Sequence, residues 1–182
     1  MQSITQKIVS RIYGKGRGWV FSQVDFADIA MRAAVDQALS RLARRGRVRR
    51  LVPGLYDYPR YSELLQKAVA PDMNQVAQAL AWKHSWDIVP DEATSLHLLG
   101  IGTQVPARYR FLSSGPNTVY DVLGTRLEFA HRKQQRTSIQ DPFTATLVQG
   151  LHALGEGGVS DQERNHLASL RSARVAAGQR KP

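Results

Sequence analysis

Six arginines fall within ten positions, at Arg41, Arg44, Arg45, Arg47, Arg49 and Arg50. A guanidinium forks onto phosphate oxygens or onto the O6/N7 edge of guanine, so chemistry of this kind is recognition of a polyanion rather than bond making. Residues that would make or break bonds are poorly placed. The 182-residue chain has no cysteine, which removes thiol nucleophiles, disulfides and cysteine-ligated zinc together. His84, His97, His131, His152 and His166 form no i,i+4 pair and no His-Glu-x-x-His, and none has a carboxylate at metal-ligand spacing. Asp121 and Glu128 fall on neighbouring predicted strands like a nuclease carboxylate pair, but no lysine stands two residues after Glu128. Ser113-Ser114-Gly115 is not followed by the Asp-x-Asp with which a nucleotidyltransferase holds its metals. Gly14-Lys15-Gly16-Arg17-Gly18 follows a helix and lacks the Gly-Lys-Ser/Thr ending of a phosphate loop, so it reads as a basic loop. No catalytic residue, metal or cofactor is expected, and the chain reads as a non-enzyme.

The charge is unevenly spread. Lys and Arg total 25 against 15 Asp and Glu, a net +10. Residues 1–70 hold 13 of the cations and 5 of the anions, so +8 of that surplus lies in the first 70 residues. A length of 182 residues suits one domain or two small ones with a real core. No apolar stretch approaches the roughly 18 residues of a membrane span, and the first residues lack a secretory apolar region. A cytoplasmic protein without a membrane partner is expected.

The elements that must carry the arginines can be read from local signals. Ser3-Ile4-Thr5-Gln6 is a capping-box pattern, and Ile4, Ile8, Val9 and Ile12 repeat at helical spacing. Trp19-Val20-Phe21 is β-like, and Ser22 with Asp25 caps a short second helix to about Ile29. Met31, Ala34, Val35, Ala38, Leu39 and Leu42 make one apolar stripe of a third helix, which Gly46 stops. Arg47 to Val52 then turns at Pro53-Gly54 into Leu55-Tyr56-Asp57-Tyr58, a β-hairpin with a type II turn. Three helices followed by a hairpin predict a winged helix-turn-helix over residues 1–60. On its third helix Arg32, Gln37, Ser40 and Arg41 are placed to read base edges of double-stranded DNA. Lys15, Arg17, Arg44, Arg45, Arg47, Arg49 and Arg50 are assigned to the phosphate backbone. Asp36 on the same face repels phosphate but can accept from cytosine N4.

The stretch from Ala34 to Pro59, with Ala38-Leu39-x-Arg41-Leu42, the Gly46 stop and Pro53-Gly54-Leu55-Tyr56 closing into Tyr58-Pro59, resembles the N-terminal domain of AbiEi-type antitoxins. The resemblance implies an antitoxin of a type IV toxin–antitoxin, phage-defence operon that represses its own promoter by binding inverted repeats. It also implies a functional partner, a nucleotidyltransferase-type toxin, countered without need of a stable complex. The likeness is strongest over about a third of the chain and looser beyond Tyr58.

Beyond residue 60 the expectation is a mixed α+β domain over 61–175 with a small antiparallel sheet, flanking helices and a basic tail at 176–182. Tyr61 to Ala70 reads as a connecting helix, and Asp72 caps another carrying Met73, Val76, Ala77, Leu80 and Ala81 on one face. Strands are expected at Trp86–Pro90, Arg108–Leu112, Thr118–Val122 and Arg126–His131, and helices after Asp91, Asp141-Pro142 and Ser160. Arg108, Arg110, Arg126 and Arg132, with Lys133 and Arg136, form either a second basic surface or a solvated sheet face. The chain is thus an α+β protein that binds DNA as a repressor and antitoxin. Two alternatives stand beside it: a plain phage or plasmid regulator without a toxin, and a winged-helix-targeted nuclease or RNA-modifying enzyme. Helix-turn-helix readers of palindromes commonly act as homodimers, yet the sequence holds no dimerisation heptad.

Overall fold

In the computed structural model, which describes residues 3–101, 106–132, 141–155 and 160–178, the first helix α1 (Ile4–Lys15) opens on the capping box the sequence announces. Gln6 N–H donates to Ser3 Oγ at 3.2 Å and Ser3 N–H donates to Gln6 Oε1 at 2.8 Å. Strand β1 (Val20–Ser22) runs into a 3-10 turn (Gln23–Phe26) in place of a second α-helix, capped by Ser22 and Asp25. Helix α2 (Arg32–Arg44) follows, burying Val35, Ala38, Leu39 and Leu42. Met31 departs from the expected stripe: it is the extended residue before the helix and is 85% exposed. The end of α2 is a Schellman motif, with Gly46 at φ 67° and bonds of 3.0 Å from Gly46 N–H to the Ala43 carbonyl and from Arg47 N–H to the Leu42 carbonyl.

Strands β2 (Arg49–Val52) and β3 (Leu55–Asp57) form the hairpin, and Gly54 at φ 74° supplies the left-handed third position that a type II turn requires. The three strands make an antiparallel sheet in the order β1-β3-β2. Side-chain alternation sends Phe21 and Tyr56 to one face, against Ile8, Ile12, Phe26 and Leu39. Val20 and Leu55 go to the other face, against Met73, Val76, Leu80 and Phe129. A register shift between Arg50 and Val52 turns both Leu51 and Val52 toward that second core. The sheet is therefore buried on both sides, and the second core takes residues from either side of residue 60.

Residues 61–70 are not the expected helix. They form a hairpin of β4 (Tyr61–Ser62) and β5 (Lys67–Ala68), exposed along nearly its whole length. Apolar residues at 61, 64, 65, 68 and 69 have helical spacing, but no surface stands against the stripe they would form, so pattern alone does not make a helix here.

Helix α3 (Met73–His84), capped by Asp72, packs the expected face into the second core. The larger sheet has the order β6-β7-β9-β8, from β6 (Ile88–Pro90), β7 (Arg108–Ser113), β8 (Thr118–Val122) and β9 (Thr125–His131). It is mixed rather than purely antiparallel, because β7 and β9 pair in parallel with Arg108 beside Arg126. The reason lies in burial. Strand β9 places Leu127 and Phe129 at 0% and 2% exposure and so takes a central position, whereas β8, with Val119 and Asp121 outward, goes to the edge. Leu123 and Gly124, both at positive φ, close β8 onto β9 in the two-residue turn that suits a twisted hairpin.

Helices α4 (Glu92–Leu98) and α5 (Pro142–Leu154) flank β6, and α6 (Asp161–Gly178) is tied back where His166 Nε2 meets the Leu99 carbonyl at 2.9 Å. Residues 176–178 of the expected tail are helical; Lys133, Arg136 and residues 179–182 lie outside the described residues. Among the described residues no helix is long and apolar enough to cross a membrane.

An ion pair adds a surface tie between α1 and the segment after the 3-10 turn. Arg11 donates twice to the Asp28 carboxylate, each at 2.6 Å, and once to the Asp25 carbonyl at 2.8 Å. Hydrogen bonds from Arg11 hold the Asp28 carboxyl down to about 2. An aspartate lowered in the folded state stabilises fully above its unfolded value, roughly 3.9, and loses that contribution as pH falls toward the folded one. NMR titration of the Asp28 carboxyl is expected to give a midpoint of about 2. In Arg11→Ala the midpoint returns toward roughly 3.9, the ordinary aspartate value. A normal midpoint in the unaltered protein would contradict the pairing.

Candidate nucleic-acid interface

Helix α2 turns its buried stripe inward, and at roughly 100° per residue this puts Gln37, Ser40 and Arg44 on the opposite, outward line. Together with Asp36 and Arg41 they line one shallow depression on the helix surface. Arg41 stands at the margin of that line. With Arg45 and Arg47 it also borders an open groove against α1, formed with Gln6, Val9 and Tyr13. There Arg47 Nη1 donates to the Tyr13 hydroxyl at 3.2 Å, which fixes the guanidinium on the rim.

The other flank of α2 carries Arg32 and Asp36, an exposed i,i+4 ion pair at 3.7 Å. Pairing of this kind contributes little to stability, about 0–1 kcal/mol, but it offsets the negative charge of Asp36 beside the outward line. On the same flank stands a residue that sequence reasoning left out. Lys83, near the end of α3, donates from Nζ to the Pro53 carbonyl at 3.0 Å and so sits on the β2–β3 turn. Burial pushes its ammonium below the ordinary lysine range; the positive charges of Arg32 and Arg50 add to the shift and Asp36 opposes it. Those causes place Lys83 in one electrostatic neighbourhood with Arg32 and Arg50. Sequence periodicity puts position 83 on the flank of α3, but nothing local says which element that flank meets.

The residues assigned to phosphate separate into three groups. Arg44, Arg45, Arg47 and Arg50 are exposed around α2 and the hairpin. Lys15 and Arg17 are exposed further along the surface, Lys15 6.0 Å from the Trp19 ring and Arg17 4.8 Å from the Tyr58 ring, with Arg17 also bonded to the Pro59 carbonyl at 3.0 Å. Arg49 is different. Its guanidinium grips Asp57 through bonds of 3.0 and 2.6 Å and gives a further 3.0 Å bond to the Val69 carbonyl. Asp57 has a side chain only 2% exposed, so its charge is stabilised by Arg49 in place of water. This arginine closes the sheet and is withdrawn from the phosphate set.

The larger sheet brings Arg108, Arg110 and Arg126 to one exposed face, as their strand parity predicts. Glu128 lies among them, 2.6 Å from Arg126 and 4.0 Å from Arg108, and takes up part of the positive charge. Asp121 stands opposite Arg126 in the strand register and accepts from Gly124 N–H at 2.9 Å. Four histidines are engaged locally. His84 stacks on Trp86, His97 bonds the Tyr109 hydroxyl at 3.0 Å, His131 bonds the Gly115 carbonyl at 2.9 Å, and His166 bonds Leu99 as described. Among the described residues no group of three or more histidine, aspartate or glutamate side chains is arranged to hold a metal.

Comparison with known proteins gives one family, described as a family of unknown function (DUF6088), whose model matches residues 7–175; the chain belongs to it. No curated protein and no solved structure matches the chain.

Removing the Arg49 side chain leaves the buried Asp57 charge unpaired. Arg49→Ala is therefore expected to cost about 3–5 kcal/mol of unfolding free energy, read from urea denaturation. Arg44→Ala, on the exposed line, is expected to stay within about 0.5 kcal/mol of the unaltered protein. Similar stabilities for the two variants would return Arg49 to the surface set.

Proposed function

We propose that this member of the family is a sequence-specific double-stranded DNA-binding regulator built on an N-terminal winged helix-turn-helix, with α2 as the helix that enters the major groove. The observation that carries this is the setting of α2. Its outward line of Gln37, Ser40 and Arg44 has base-reading groups, and cations stand on both flanks: Arg41, Arg45 and Arg47 toward α1, Arg32, Arg50 and Lys83 toward the hairpin and α3. A major groove is bounded by two phosphate strands, and a helix within it needs positive charge on either side and hydrogen-bonding groups between. The order α1, β1, 3-10 turn, α2, β2, β3 with sheet order β1-β3-β2 supports a winged arrangement whose middle helix is reduced to a turn.

Roles divide accordingly. Gln37 is suited to adenine N6/N7, with Ser40 less selective and Arg41 reaching either a base or the strand beside it; Arg44, assigned to phosphate from the sequence, lies on the outward line and is suited to guanine O6/N7, while Arg32, expected to read bases, stands on the flank paired with Asp36. Arg45, Arg47 and Arg50 hold phosphate. Lys15 and Arg17 extend the positive field toward flanking DNA. The resemblance of residues 34–59 to AbiEi-type antitoxins supports a specific setting: autorepression at inverted repeats, opposite a nucleotidyltransferase-type toxin, in the cytoplasm. Nothing in the site calls for a catalytic role, and the chain is proposed as a non-enzyme.

Footprinting on the DNA upstream of its own gene, at two salt concentrations and with random DNA as competitor, tests the proposal. A protected inverted repeat that survives competition is the expected result. Arg45→Ala should weaken operator and random DNA alike and reduce the salt slope by about one unit, whereas Gln37→Ala should relax preference at a single base pair by about 1–3 kcal/mol. Binding abolished by random DNA, or both variants losing equally on the two DNAs, would sink the assignment.

A further inference from the structure

We infer that the β4–β5 hairpin is a self-association surface, the place where a second copy of this chain docks. The hairpin presents four exposed apolar side chains within nine residues, Leu64 92% and Leu65 60% at its tip, Tyr61 53% on β4 and Val69 40% just after β5. Single exposed leucines are ordinary, but adjacent ones at the tip of a projecting hairpin mark an interaction site.

The tip is held in shape. Leu65 N–H donates to Ser62 Oγ at 3.2 Å, Gln66 Nε2 donates to the Glu63 carbonyl at 2.7 Å, and the Tyr61 hydroxyl meets Gln66 Oε1 at 3.4 Å. Its base is anchored by Arg49 on the Val69 carbonyl and by Val69 N–H on the Arg60 carbonyl at 2.8 Å. An isolated two-stranded hairpin is marginal in water, so these bonds hold the leucines in a fixed presentation that costs little further ordering on docking.

Charge chooses the occupant. The chain carries +10, so two copies repel unless they meet where the charge is balanced. Residues 61–70 contain one anion, Glu63, and one cation, Lys67, and are therefore neutral as a segment. A polyanion gains nothing at a neutral apolar tip that bears a carboxylate. A second copy meets no net repulsion there, and a two-fold contact faces Glu63 with Lys67 in both directions. Strands β4 and β5 each pair only with the other among the described residues, which leaves backbone on their outer edges for an equivalent strand.

The test uses the full chain without DNA, so its outcome is independent of the DNA-binding proposal. Sedimentation equilibrium over roughly 1–100 µM covers the affinities expected of a small apolar contact. The unaltered protein is expected to show a concentration-dependent monomer–dimer equilibrium. The double variant Leu64→Gln, Leu65→Gln, which leaves charge untouched, is expected to weaken it by at least about a hundredfold, since four leucine side chains lose their burial. Its circular dichroism should be unchanged, because both positions are exposed. Val119→Gln, an exposed apolar position on the large sheet, is the control and should dimerise like the unaltered protein. A monomer at every concentration, a double variant that still dimerises, or equal weakening by the control would each overturn the inference.

Discussion

The three-stranded sheet has a core on each face, and the placement of α1, α2 and α3 follows from that. A β-strand alternates its side chains, so Val20 and Phe21 must enter opposite cores, as must Leu55 and Tyr56. Such a sheet cannot expose either face without giving up apolar burial worth roughly 1.5–3 kcal/mol per large side chain. The helices of the first core and α3 of the second are thereby fixed against one common partition. Arg49 and Asp57 close its end, where Asp57 would otherwise be a buried charge facing the side of the second core. Lys83 reaches the β2–β3 turn for the same reason. It rides on a helix whose position is set by Val76 and Leu80 against the sheet.

Arginine serves two opposed ends in this molecule, and burial of the partner decides which. Arg49, Arg11 and Arg126 each meet a carboxylate at about 2.6 Å. In the first case the carboxylate is nearly inaccessible, so the pair is structural. Arg44, Arg45 and Arg50 are exposed and have no carboxylate partner among the described ion pairs. Their like charges stay hydrated and mutually screened at low cost. Six arginines in ten positions thus do not form a uniform patch. One is taken into the fold and the others surround a helix end.

What the sequence makes legible is what neighbours in the chain decide. The capping boxes at Ser3 and Ser22, the Gly46 stop and the Pro53-Gly54 turn each depend on residues within a few positions, and the structure has them where the spacing puts them. The misreadings are non-local. Nothing within residues 61–70 tells that their helical stripe would face water, and nothing in residues 108–131 tells that β9 will displace β8 from the side of β7. Met31 fits the stripe of α2 by spacing, but the helix starts one residue later. The partner of Arg49 is eight residues away across a strand pairing, and the neighbours of Lys83 come from three elements. A charge count finds both residues and cannot say that one is spent on the fold while the other joins the surface.

The same partition bears on specificity. On the proposed function α2 gains discrimination only if its flanking contacts fix register, and the two flanks belong to different cores: α1 borders one side of the helix and α3 the other. Any rearrangement that moved α3 against the sheet would shift Lys83 away from Arg32 and Arg50 while leaving α1 and Arg45 in place. Affinity for a polyanion would survive that change, because the charges remain, but the spacing of the two flanks would not. If α2 reads DNA as proposed, nonspecific attraction is a property of composition, and selection among sequences is a property of the packing between the two cores.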